Sequence, residues 1–138
     1  MIPSRDSVSR AGLDDVYESV LHNIKIHILT DNAFQLAITF RLWTDSYRRL
    51  NYITFTLHYL TDDFELKTFT LKTELMEGVK SGEKIQKAVN ETKKEFAITD
   101  KKLCSVTDAG TNVKRALTLA NIDHNLVIVD EIKKLQKF

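Results

Sequence analysis

The stretch that most constrains the fold of this chain is Leu36–Trp43, which reads Leu-Ala-Ile-Thr-Phe-Arg-Leu-Trp. Successive side chains of a strand point to opposite faces, so this run divides into two sets. One set is Leu36, Ile38, Phe40 and Leu42, and the other is Ala37, Thr39, Arg41 and Trp43. Only one charge, that of Arg41, interrupts the run, which is typical of a central strand between two layers of helices. The sequence therefore predicts a central strand that is buried on both faces.

A second short strand is predicted at Leu103–Asp108, and it leads into Asp-Ala-Gly-Thr-Asn, a pattern typical of a strand-turn-helix junction. If the two strands are parallel neighbours, Arg41 and Asp108 meet at the same edge of the sheet. The guanidinium would then donate a charge-assisted hydrogen bond to the carboxylate. The alternative is that Arg41 extends into solvent and Asp108 caps the following helix.

Hydrophobic periodicity predicts one domain over residues 1–138 of the α/β class. The predicted segments are an extended lead-in at 1–10, a helix at 11–30, a three-stranded meander over 36–73, a crossover helix at 83–97, and a strand with helices over 102–138. The meander strands are expected at 36–43, 52–60 and 66–73. A β-β-β-α-β-α order with an N-terminal helix is typical of a ribonuclease-H-like mixed sheet in the order 3-2-1-4. We expect the chain to stop before a fifth strand, which would leave an edge and a core face open to self-association.

Composition excludes several classes of function. The net charge of +1, from 20 basic and 19 acidic residues, provides no overall field for nucleic acid, so DNA contacts would depend on local patches. We expect such contacts at Arg48, Arg49, Lys114 and Arg115. A single cysteine allows no internal disulfide and no zinc finger. The apolar runs are too short to span a membrane, so a soluble intracellular protein is expected.

Several short motifs resemble one family in the same order along the chain. They are Pro3-Ser-Arg before a helix, Leu42-Trp43-Thr44, Thr56-Leu-His-Tyr-Leu, Phe64-Glu-Leu, Val106-Thr-Asp-Ala-Gly-Thr-Asn-Val113 and His124-Asn-Leu-Val. Together they resemble the catalytic domain of hAT-family DNA transposases and of their domesticated relatives, the zinc finger BED domain-containing proteins. The resemblance implies a ribonuclease-H-like fold, a nuclear setting, DNA-related partners and, in an intact member, Mg²⁺ as cofactor.

The departures from that pattern bear directly on catalysis. Arg41 stands where the family has its first metal-binding acid, Asp108 matches the second, and the chain ends at Phe138 before the third. Asn121 stands where the family usually has a cysteine. Phosphoryl transfer of this type uses two divalent ions roughly 3.5–4 Å apart, and hard cations need several carboxylate oxygens. We therefore expect a truncated, inactive copy with no cofactor, a vestigial Asp108 and no metal site.

Three functional hypotheses remain open. The first is an inactive transposase-derived module that is associated with nucleic acid or has a regulatory role, with weak and salt-sensitive DNA binding. The second is a metal-dependent transposase or nuclease fragment that other chains complete. The third is a protein-interaction domain without DNA contact. Two further residues are predicted to have structural roles. We expect Trp43 to pack in the core rather than to stack on a base. We expect His124 to pack or cap at the start of a helix rather than to bind a metal.

Overall fold

The structure is a computed structural model, and it describes residues 12–31, 35–107, 111–120 and 123–124, together with Ser4 and Asp6. Within these residues, three helices and five strands follow one another. They are α1 (Gly12–Thr30), β1 (Gln35–Asp45), β2 (Leu50–Leu60), β3 (Leu66–Met76), α2 (Gly82–Glu95), β4 (Lys102–Ser105), α3 (Thr111–Leu119) and β5 (Asp123–His124). The α/β class and the N-terminal helix are therefore confirmed.

One mixed sheet contains all five strands in the order β3-β2-β1-β4-β5. The pairs β1–β2 and β2–β3 are antiparallel, whereas β1 and β4 run parallel, with Gln35 opposite Lys102 and Ile38 opposite Ser105. The predicted order 3-2-1-4 and the parallel central pair are confirmed. The expected stop before a fifth strand is wrong, because the two-residue strand β5 pairs in parallel with β4 and extends the sheet beyond it.

The strands of the meander extend beyond their predicted ends. The predicted ranges 36–43 and 52–60 leave Asp45 and Asn51 between the strands, but β1 continues to Asp45 and β2 begins at Leu50. Side-chain pairing explains the extension, since Thr44 Oγ1 donates to Asn51 Oδ1 across the two strands at 2.8 Å. The turn itself is tightened by Asp45, whose carboxylate accepts the backbone N–H groups of Tyr47 and Arg48 at 2.9 and 3.2 Å.

The hydrophobic core lies on one face of the sheet. The strands supply Leu36, Ile38, Phe40, Ile53, Phe55, Leu57, Tyr59, Leu71, Met76 and Leu103, and the helices supply Ile24, Ile28, Ile85, Ala88, Val89, Val113, Ala116 and Leu117. On the other face of β1, Ala37 and Thr39 are half-buried, and Arg41 and Trp43 are exposed. The prediction that this strand is buried on both faces is therefore wrong.

The topology explains why α2 and α3 lie on the same side of the sheet. The crossover from β3 to β4 through α2 and the crossover from β4 to β5 through α3 move in the same direction across the sheet. Crossovers of one hand that move in one direction place their helices on the same face. The two helices are in contact there, because Gln86 Nε2 donates to the carbonyl of Leu119 at 3.0 Å.

Candidate functional site

A broad groove lies beside the second half of β1. It has a volume of about 1050 Å³ and is lined by Thr39, Phe40, Arg41, Leu42, Trp43, Thr54, Thr56, Val106 and Thr107. The groove arises from unequal strand lengths. β4 ends at Ser105, opposite Ile38, whereas β1 continues to Asp45. Just beyond β4, Val106 N donates to the Ile38 carbonyl at 3.4 Å.

Arg41 lies in this groove. Its side chain is exposed and stands opposite Thr54 in the register of β1 with β2. Val106 and Thr107 bring the main chain that leads to Asp108 to the same groove. Asp108 itself lies outside the described residues, so its hydrogen bond to Arg41 stays a prediction, as does its alternative role as a helix cap.

Trp43 is not a core residue. Its side chain is 42% exposed, and its ring stacks on Tyr52 of β2 with centroids 4.5 Å apart and planes 20° from parallel. The indole Nε1 donates to Thr54 Oγ1 at 3.2 Å. The core-packing prediction failed because it assumed a covered second face, whereas none of the described helices covers Trp43. An exposed aromatic side chain instead stabilises the sheet through its cross-strand neighbour.

A polar network lies beside the groove, and the sequence did not predict it. His58 of β2 bridges its two neighbouring strands, with Nε2 at 3.1 Å from Thr39 Oγ1 and Nδ1 at 3.1 Å from Thr68 Oγ1. The Thr54 and Thr73 hydroxyls share a second cross-strand bond of 2.9 Å. The available signal was the alternation of polar with apolar residues in β2. That alternation indicates a wet face, but it does not indicate which side chains meet across the strands.

The four predicted nucleic-acid contacts lie at one end of the molecule. Arg48 and Arg49 are exposed in the β1–β2 turn, and Lys114 and Arg115 are exposed on α3. Lys80 joins the two regions. Its Nζ donates to Thr44 Oγ1 at 2.9 Å, and its carbonyl accepts from Asn112 Nδ2 at 2.8 Å. We call Arg48, Arg49, Lys80, Lys114 and Arg115 the basic end. Arg115 is also held by Glu83, at 2.5 Å.

The described lining of the groove offers no carboxylate to a divalent cation. The described side chains that line it include a guanidinium and threonine hydroxyls but no carboxylate. Within the described ranges, no group of three or more histidine, cysteine, aspartate or glutamate side chains could hold a metal ion. Cys104 is half-buried and its thiol donates to the Leu36 carbonyl at 3.6 Å. The backbone of His124 lies in β5, and its side chain lies outside the described residues.

None of the helices in the described part of the chain is long and apolar enough to cross a membrane.

Comparison with known proteins agrees with this architecture. A search of curated proteins found no match. A family model described as the ZBED1 RNase-like domain matches residues 39–134, which is more than half of the chain. That region begins in β1 and includes the groove, α2, β4, α3 and β5, and it confirms the resemblance to hAT-related, ribonuclease-H-like domains. The chain belongs to the ZBED1 RNase-like domain family.

Proposed function

We propose that this domain is a transposase-derived module that has lost catalysis and acts by binding nucleic acid. The observation that carries the proposal is the position of Arg41. Its guanidinium lines the groove at the place where, by family resemblance, the first metal-binding acid would stand. The resemblance also implies a nuclear setting and DNA-related partners, and we adopt both as parts of the proposal.

The chemistry of the groove opposes metal-dependent strand cleavage. A guanidinium carries its positive charge at any physiological pH. A fixed positive charge raises the cost of placing a divalent cation nearby, and hydroxyl groups do not replace the carboxylate oxygens that Mg²⁺ requires. Asp108 alone would supply one carboxylate, which is too few for a clamp on the attacking and leaving oxygens.

Calorimetric titration with Mg²⁺ and with Mn²⁺ tests the loss of the metal site. We expect no specific binding by the native domain. Arg41→Asp should bind Mn²⁺ weakly, because it restores one acid next to the segment that leads to Asp108, and it should still not cleave DNA. Arg48→Asp is the matched control, since it makes the same change of charge outside the groove. Tight metal binding or metal-dependent cleavage by the native domain would contradict the proposal.

The basic end supports the nucleic-acid part of the proposal. It gathers positive side chains from a turn, a loop and a helix, yet acids lie among them, as shown by the ion pair of Arg115 with Glu83. Such a surface contacts phosphates without reading base edges. Binding should therefore be weak, independent of sequence and sensitive to salt.

A fluorescence titration of a labelled duplex at several salt concentrations measures this binding. Arg48→Ala and Lys114→Ala should each weaken it and reduce the slope of log affinity against log salt by about 1. Lys87→Ala is the control, because Lys87 lies on α2 and pairs with Glu91 of the same helix at 3.8 Å. Equal effects of all three variants would show that the basic end has no special role, and nanomolar binding with clear base preference would contradict non-specific contact.

A further inference from the structure

The face of β1–β3 opposite the core, here called the open face, is covered by none of the described helices and is polar along its middle, with Arg41 exposed on β1. Five of its side chains bond to one another across the strands, in the bridge from Thr39 through His58 to Thr68 and in the pair Thr54–Thr73. Hydroxyl groups that are bonded to each other lose less on leaving water than unpaired ones do. The part of the face that holds these bonds can therefore be covered by another sheet at low cost.

Apolar side chains stand at both ends of the open face. At one end Trp43 stacks on Tyr52, and Leu75 lies opposite Tyr52 in the register of β2 with β3. At the other end Leu60 and Leu66 are register partners and are 58% and 67% exposed. Exposed apolar patches of this kind on a flat surface are typical of interaction sites.

The two turns that bound β2 carry opposite charges. Arg48 and Arg49 immediately precede β2, at the end of the face where Trp43 lies. Asp62 and Asp63 follow β2, at the end where Leu60 lies, and both are exposed. The open face thus has a polar centre and two apolar ends. The end at Trp43 lies next to the basic turn, and the end at Leu60 lies next to the acidic turn.

A surface with this pattern is complementary to itself after a half-turn. A two-fold axis that lies between the two sheets, parallel to them and perpendicular to the strands, places the basic turn of each molecule on the acidic turn of the other. Leu60 and Leu66 of one molecule then cover the Trp43–Tyr52 stack of its partner. We propose that the open face mediates a two-fold homodimer in which two sheets pack face to face.

The size of the open face sets the strength of the dimer. Strands of 11 residues in three rows cover an area about 35 Å long and 14 Å wide. This corresponds to roughly 500 Å² per molecule, below the value of about 800 Å² that is usual for stable complexes. The dimer should therefore be reversible and should dissociate on dilution. It involves no nucleic acid, so it can fail or succeed independently of the DNA binding proposed above.

The test is the mass in solution of the full chain and of two charge-reversed variants, measured by sedimentation over a range of concentrations. The native chain should approach twice the mass of one chain at high concentration. The variant Arg48→Glu/Arg49→Asp has two acidic turns, and Asp62→Lys/Asp63→Lys has two basic turns. Aspartate is chosen at position 49 because the φ of Arg49 is 53°, a region that aspartate tolerates. Each variant alone should dimerise at least about tenfold more weakly.

Mixing the two variants gives the sharpest result. In a mixed dimer both turn-to-turn contacts again join opposite charges, so the equimolar mixture should regain the native dimerisation, which also shows that both variants are folded. The emission of Trp43, the single tryptophan of the chain, should shift to the blue as the native dimer forms. Lys93→Glu/Lys94→Glu on α2 is the matched control and should leave the mass unchanged.

Three outcomes would overturn the homodimer. One is a native chain that stays monomeric at all concentrations. Another is a dimer that persists unchanged in both charge-reversed variants, which would locate the interface elsewhere. The third is a monomer that binds single-stranded DNA with the same blue shift of Trp43 emission, which would assign the open face to nucleic acid instead of a second copy.

Discussion

Phe64 follows the acidic turn and adopts a left-handed backbone conformation, with φ of 61°. This conformation costs a residue with a Cβ atom about 1–2 kcal/mol. The cost is not offset by burial, because the side chain is 86% exposed. Its turn is otherwise regular, with Phe64 N donating to the Thr61 carbonyl and Thr61 N to the Glu65 carbonyl, both at 3.0 Å. A residue that adopts an unfavourable backbone conformation without a gain in packing is often part of a functional surface.

We therefore expect Phe64→Gly to raise the free energy of unfolding by about 1 kcal/mol, because glycine adopts positive φ without steric cost. Chemical denaturation at a concentration where the chain is monomeric measures the change. Tyr47→Gly is the matched control: Tyr47 is an exposed aromatic residue of the other turn, but its φ is not positive, so glycine there should not stabilise the fold. A less stable Phe64→Gly variant would show that the Phe64 ring makes contacts that outweigh its backbone strain.

At the scale of one element, α2 has a favourable residue at its N-terminus and an unfavourable one at its C-terminus. Ser81 caps its N-terminus, with the side-chain oxygen accepting from Lys84 N at 3.3 Å. At the C-terminus, Ala97 N donates to the Lys94 carbonyl and Ile98 N to the Lys93 carbonyl at 3.2 and 2.9 Å. This pair of bonds is the Schellman arrangement, in which the left-handed position usually holds glycine. Here that position is Ala97, with φ of 55°.

Substitutions at the two ends should therefore act in opposite directions. Ser81→Ala should lower the free energy of unfolding by about 1 kcal/mol because it removes the cap. Ala97→Gly should raise it by up to about 1 kcal/mol because it relieves the left-handed strain. Denaturant titration of each variant and of the pair checks both signs, and the two effects should add, since the sites do not contact each other. Destabilisation by Ala97→Gly would contradict the assignment of strain to this residue.

At the scale of the whole molecule, one polar cluster joins α1, α2 and β3. Lys72 of β3 pairs with Glu74 at 3.0 Å and with Glu95 of α2 at 2.9 Å, and the Tyr17 hydroxyl of α1 donates to Glu95. Burial raises the pKa of Glu95, but the hydrogen bonds from Tyr17 and Lys72 outweigh burial and leave that pKa lowered. Burial and the bond to Glu95 raise the pKa of Tyr17 from 10.0 to about 12. Tyr59 also has a raised pKa, from burial and from its bond to Asp31 at 2.6 Å.

The shift at Tyr17 predicts how stability changes in alkali. A raised pKa means that the folded state holds the phenolic proton more tightly than the unfolded chain does. The contribution of Tyr17 is complete below pH 10 and is lost as the pH rises from 10 to 12. Tyr17→Phe should therefore show a smaller fall in melting temperature over that interval than the native chain, whereas Tyr47→Phe, in the exposed turn, should follow the native curve. Identical curves for all three proteins would rule out Tyr17 as a source of alkaline sensitivity.

The sequence by itself determined the class of fold, the strands of the meander, the strand order 3-2-1-4 and the family. These depend on local signals: the two-residue alternation in Leu36–Trp43, the polar turns, and short motifs whose residues are adjacent in the chain. It also identified Arg41 as a departure from the family pattern, because a substituted position is visible without any structure. The sequence did not show that Arg48 and Lys114 lie at the same end of the molecule. The link between their regions runs through Lys80, which is more than 30 residues from Thr44 and from Asn112.

Only the tertiary structure decided which surfaces are covered. Burial of the second face of β1 depends on where the crossover helices lie, and both described crossovers lie on the same side. The groove exists because β4 ends opposite Ile38 while β1 continues to Asp45, and a strand's periodicity contains no information about the length of its neighbour. The exposure of Trp43 follows from the same cause. An alternating pattern shows which residues share a face, but whether that face meets water is decided by parts of the chain that are distant in sequence.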